Sequence, residues 1–136
     1  MTPLSMRCIR AAFLYLALGI ALGASFSLDR ALGARLRSLH AELNLWGWVT
    51  LLIYGMAYHM LPRFTGRALR CPRLAHAQSW LAIAGVVLVA GGWVALLLAL
   101  PWARGLLVAG GAVQAGAALL FVLLIGALLR EPRSRA

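Results

Sequence analysis

The apolar residues of this chain do not alternate with polar ones. They gather in four blocks, at about 11–28, 41–62, 78–100 and 105–129. A hydrocarbon core about 30 Å thick is crossed by roughly 20 helical residues, and each block has about that length. The pattern therefore predicts an all-α integral membrane protein with four transmembrane helices, set out as an arc or a bundle. Only short loops and tails lie between the blocks, so residues 1–136 are expected to form one membrane domain with no soluble module.

Composition strengthens this reading. The 136 residues are 63% hydrophobic and 12% charged, with a mean hydropathy of +0.89, which leaves too little polar surface to cover a soluble globule. All thirteen basic residues are arginine, against only Asp29, Glu42 and Glu131, for a net charge of +10. A soluble domain this basic would suggest nucleic acid; here the arginines flank the apolar blocks, so no nucleic-acid partner is expected. Arg7, Arg10, Arg63, Arg67, Arg70, Arg73, Arg130, Arg133 and Arg135 fall on one side of a four-span topology, and Arg30, Arg35, Arg37 and Arg104 on the other. The richer side is the cytoplasmic one, which places both termini inside a cytoplasmic (inner) membrane. The segment SLDRALGARLRSLH is then an outer loop, expected as a short amphipathic helix on the surface. The first block, preceded by Arg7 and Arg10, also has the layout of a secretory signal. Its removal would leave three spans whose basic flanks agree less well, so it is read as a retained span.

Most of the apolar sequence carries little chemistry. Gly19 and Gly23 have the GxxxG spacing that admits a close helix neighbour. Gly85, Gly91, Gly92, Gly110, Gly111 and Gly116 read as packing positions, and Gln114 as an interhelical hydrogen-bond former. Pro62 is expected to end the second span, Pro72 to break the inner loop, and Pro101–Trp102 to make the outer turn. Cys8 and Cys71 match no metal spacing and both fall on the reducing side. No phosphate-binding loop, zinc motif, Ser/His/Asp set or carboxylate pair is present, which excludes hydrolase and nucleotide chemistry of the soluble kind.

The second block differs. LHAELNLWGWVTLLIYGMAYHMLPR holds histidines near both ends, an asparagine, two glycines and several aromatics. Polar residues inside a membrane span are costly and mark sites, although a helix with interfacial aromatics and a histidine in each headgroup layer is the competing reading. On an ideal helix Asn44, Gly47, Leu51, Tyr54 and Tyr58 all lie within about 40° of His40. That stripe would suit a flat macrocycle, with the glycine clearing its edge. His59 points to another face, and lies too far along the axis, about 28 Å, for His40 and His59 to share one iron. Glu42 points away from the stripe, at the positive end of the helix dipole, where pairing with an outer-loop arginine is expected.

With Arg37, His40, Asn44, Gly47, Gly55, Tyr58, His59 and Pro62 in this arrangement, the segment resembles the second transmembrane helix of the heme-copper oxidase large subunit. The nitric oxide reductase and C-type oxidase branches are the most similar. Gln78, Trp80 and Leu81 similarly resemble the start of that subunit's third helix. The resemblance implies that His40 is an axial ligand of heme b in the outer half of the membrane, the side to which the arginine count also assigns it. It implies that Arg37, Asn44, Gly47, Tyr54 and Tyr58 line the cofactor, and it admits copper as a secondary metal. His59 and His76, near the inner surface, are further candidates for a second heme, with Arg63, Arg67, Arg70 or Arg73 beside the propionates.

This chain also departs from that family. The large subunit has twelve helices, and the second axial histidine and the oxygen-reducing centre come from later helices that have no counterpart here. A complete oxygen or nitric oxide reductase site in one chain is therefore not expected. The twelve helices form three arcs of four, so the resemblance implies self-association of a four-helix relative, as a trimer with a dimer as the alternative. Two function classes result: a small heme protein that transfers electrons to or from a redox partner, or binds a diatomic gas, and a cofactor-free membrane subunit or assembly factor of a respiratory complex.

Overall fold

The computed structural model describes residues 1–130, so Glu131 and the basic flank expected at Arg133 and Arg135 lie outside the described residues. Those described are helical almost throughout. Helix α1 spans Pro3–Ser25: Thr2 Oγ1 accepts from the Ser5 N–H at 3.2 Å, and Pro3 occupies the first turn, where a missing N–H costs nothing. It starts well before the expected boundary at 11 because Arg7 and Arg10 are good helix formers. Helix α2, Arg30–Glu42, is capped by Asp29, whose Oδ1 accepts from Ala31 N at 2.8 Å and Leu32 N at 3.1 Å. An eight-residue π-helical segment, Leu43–Thr50, follows without a break, and then α3, Leu51–Thr65.

Pro62 does not end this run, contrary to expectation. It sits inside α3, and the stop is Gly66, whose φ of +66° lets Gly66 N reach Arg63 O and Arg67 N reach Pro62 O. Pro72 likewise opens an element rather than breaking a loop, as the first residue of α4, Pro72–Leu97. Helix α5 covers Ala103–Arg130. The expected turn between α4 and α5 does form, around Pro101 and Trp102, with Ala99 at a φ of +54° and Leu100 N bonded to Ala95 O at 2.9 Å.

Three helices, α1, α4 and α5, are long and apolar enough to cross a membrane. Their surfaces agree with that. Large apolar side chains such as Ile20, Val108 and Val122 are exposed, while Ser5, Glu42, Gln78, Ser79 and Gln114 are buried. In water this distribution would be unstable; in hydrocarbon, polar groups must find partners inside. Gln114 Nε2 donates to Glu42 Oε1, which fulfils its expected role between helices, and this corrects the role expected of Glu42: its partner is an amide of α5, not an outer-loop arginine. Tyr58 Oη donates to Gln78 Oε1 at 3.0 Å, and Gln78 Nε2 donates to Ala117 O at 3.2 Å, tying α3, α4 and α5.

Two hairpins result. In the first, α1 lies along the π segment and α3; in the second, α4 and α5 pack most closely. The expected packing glycines divide. Gly85, Gly92 and Gly110 face neighbours at sub-van der Waals allowance for a side chain, whereas Gly111 and Gly116 face open space and Gly91 nearly so. Arg35 reaches Leu97 O at the end of α4, and Arg67 reaches Leu128 O near the end of α5, each placing positive charge at the negative pole of a helix.

Candidate functional site

The site is built where α1 crosses the junction of α2 and the π segment. Gly19 and Gly23 realise the expected close approach, and what approaches is the candidate site itself. A Cβ placed on Gly23 would lie 2.8 Å from His40 Cε1, and one on Gly19 2.7 Å from Asn44 Nδ2. The imidazole therefore lies in a cradle cut by two missing side chains. Its Nδ1 is 3.0 Å from Gly19 O. A carbonyl only accepts, so Nδ1 carries the proton and, in the neutral ring, Nε2 carries the lone pair. Asn44 Nδ2 donates to His40 O at 2.8 Å and lies 3.4 Å from Nε2, at the long end for a hydrogen bond. The Phe26 ring meets the imidazole edge-on at 5.5 Å between centroids. His40 is half-buried, and Arg37, one turn earlier on α2, is exposed.

Below this point the expected single stripe divides. Gly47 faces Tyr15 of α1, whose Cβ and Cγ would lie 2.7 Å from an added Cβ, and Gly55 faces Cys8, Ile9 and the Ser5 carbonyl. Tyr54 and Tyr58 instead face α5, with Phe121 at 4.2 and 5.5 Å between centroids. The cause is the π segment. Its wider turns advance less than 100° per residue, so the lower half of the helix is rotated relative to the upper half. Thr50 Oγ1 bonds Leu45 O, five residues back, in keeping with that winding.

His40 fits an axial ligand: its second nitrogen is held by a backbone carbonyl, the arrangement that fixes tautomer and orientation in metal-binding histidines. The rest of the stripe does not fit a macrocycle within one chain, because Tyr15 fills the space at Gly47 and the two tyrosines point into the α4–α5 hairpin. For copper, no group of three or more His, Cys, Asp or Glu side chains converges among the described residues.

The structure brings His59 and His76 together at the arginine-rich end, in a cavity of about 320 Å³ that also includes Tyr58, Arg63 and Leu69. Each histidine has one ring nitrogen engaged by a guanidinium: His59 Nε2 by Arg63, and His76 Nδ1 by Arg7 at 2.6 Å. Arginine only donates, so both lone pairs that could have met a metal are occupied by hydrogen bonds. The Arg7–His76 pair joins α1 to α4 across distant sequence and was not legible from spacing; His59 and Arg63, four apart on one helix, could have been paired from the sequence.

Comparison with protein-family models, curated proteins and solved structures gave no match.

Proposed function

We propose that the chain is a small heme protein of the cytoplasmic membrane, related to one four-helix arc of the heme-copper oxidase large subunit, with His40 as the axial ligand of heme b. One observation carries it: an imidazole inside a glycine cradle, with Nδ1 on a backbone carbonyl and the Nε2 lone pair not spent on a strong hydrogen bond. Bound iron would supply a one-electron redox change or a coordination position for nitric oxide or oxygen. The chain's own part is to orient the imidazole through Gly19 and to shield it with Phe26 and α1. The packed interior favours a second reading, a cofactor-free subunit of a respiratory complex.

In this proposal the fourth crossing is the π segment with α3, Leu43–Thr65, on the order of 30 Å long. Both termini face the cytoplasm, since Arg7, Arg63, Arg67, Arg70, Arg73 and Arg130 gather at one end of the bundle and Arg30, Arg35, Arg37 and Arg104 at the other. Cys71, exposed at the first of these ends, should be labelled by a thiol reagent only after the membrane is permeabilised; labelling in intact cells would reverse the topology.

Self-association completes the reading, because the heme face has to be supplied from outside the single chain. Gly19 and Gly23 are already occupied by Asn44 and His40 of the same chain. Helix α5 offers a replacement in Gly105, Ala109, Ala112 and Gly116, exposed along one face at spacings that let another helix approach. A closed ring of three is the proposed assembly. Native mass spectrometry in mild detergent should give three chains with heme retained. A heme-loaded monomer would contradict the shared site, and a heme-loaded dimer would replace the trimer.

A further inference from the structure

We propose that the cavity between the start of α1, the end of α3 and the start of α4 binds the phosphate headgroup of an anionic phospholipid. This does not depend on heme at His40, which lies at the other end of the bundle.

Among the described residues no carboxylate balances the charge around the cavity. Its lining includes His59, Arg63 and His76, with Arg7 bonded to His76 from α1. Among the described residues the only acids are Asp29, which caps α2, and Glu42, which is bonded to Gln114, so neither serves this cluster. Because each guanidinium donates to a histidine nitrogen, the other ring nitrogen is left as the N–H donor: Nδ1 on His59 and Nε2 on His76. The cluster thus offers donors and positive charge and few acceptors. Arg7 does not line the cavity but stands behind it through His76: its guanidinium lies 4.5 Å from the centroid of Trp80 and is bonded to His76, and its Nη1 is buried with no partner among the described residues.

The remaining walls select a lipid over a free ion. Leu4, Pro62, Ala68, Leu69 and Pro72 make much of the lining apolar. A cavity with donors at the headgroup level and an apolar wall is the form in which basic pockets between transmembrane helices hold anionic lipids. The arginine asymmetry that sets orientation also assigns the cavity to the leaflet in contact with the cytoplasm.

The test uses the full-length protein in neutral detergent, with phosphatidylglycerol and phosphatidylcholine of identical acyl chains, read by native mass spectrometry. Phosphatidylglycerol should be retained about tenfold better than phosphatidylcholine, and Arg7→Gln/Arg63→Gln should remove that preference. Arg63→Gln alone, at an exposed position, should reduce it. Arg30→Gln/Arg104→Gln, at the opposite end, should leave it unchanged. Equal retention of the two lipids, or an equal loss with the opposite-end variant, would overturn the site. Displacement of phosphatidylglycerol by inorganic phosphate at equal concentration would show a free-phosphate site instead. Loss of heme absorbance in His59→Ala/His76→Ala with lipid retention unchanged would assign the cavity to a porphyrin and overturn the proposal.

Discussion

Gly110→Leu should lower the thermal midpoint of the detergent-solubilised protein by roughly 5–15 °C, while Gly111→Leu, one residue on, should leave it nearly unchanged. The contrast follows from what each position faces. A Cβ on Gly110 would lie 2.7 Å from Val89 Cγ2, 2.8 Å from Val89 N and 2.9 Å from Leu88 Cβ. One of those atoms is backbone, which cannot rotate away. The α4–α5 hairpin must therefore open before any side chain is accommodated, and the Gln114–Glu42 and Gln78–Ala117 hydrogen bonds that depend on its position open with it. At Gly111 an added Cβ meets nothing within 4 Å, and the position is exposed. Similar losses in the two variants would mean that α4 and α5 do not pack through Gly110.

The contrast also shows what a single sequence conveys. Three of the four apolar blocks form helices long and apolar enough to cross a membrane, and these were legible because a membrane span is a length of hydrophobic residues, whatever its neighbours. The role of Gln114 was legible for a similar reason: an amide inside such a span must find a partner. That the partner is Glu42 was not, because it depends on which face of α5 meets α2. Gly19 and Gly23 announced a close contact, but their spacing does not say whether the neighbour lies in the same chain or another. The neighbour is in the same chain.

The π segment was the largest omission. Nothing in LNLWGWVT distinguishes it from an ordinary helix, since all of these residues are tolerated in both windings. Its winding is set by packing against α1, where Gly47 admits Tyr15. A wheel drawn at 100° per residue therefore placed His40 and Tyr58 on one face, and the structure turns them to different neighbours. The upper part of that wheel, His40 and Asn44, survives because it precedes or only enters the π turns.

The second large effect concerns His40. His40→Ala should remove b-type heme while leaving the helical circular dichroism intact, because the side chain sits in a cradle rather than bearing on the core. Gly23→Val should do the same by a different route, since its side chain would occupy the position of His40 Cε1 and push the ring away from the Gly19 carbonyl. The two variants together separate loss of a ligand from loss of its orientation. His59→Ala and His76→Ala, whose candidate metal-facing nitrogens are engaged by Arg63 and Arg7, should keep full heme.

The central claim is met most directly by the visible absorption spectrum of the purified wild-type protein beside that of His40→Ala. A reduced b-type spectrum in the wild type that disappears in the variant is the predicted result. A wild type without heme absorbance, or a variant that keeps all of it, would contradict the assignment of His40 as the heme ligand.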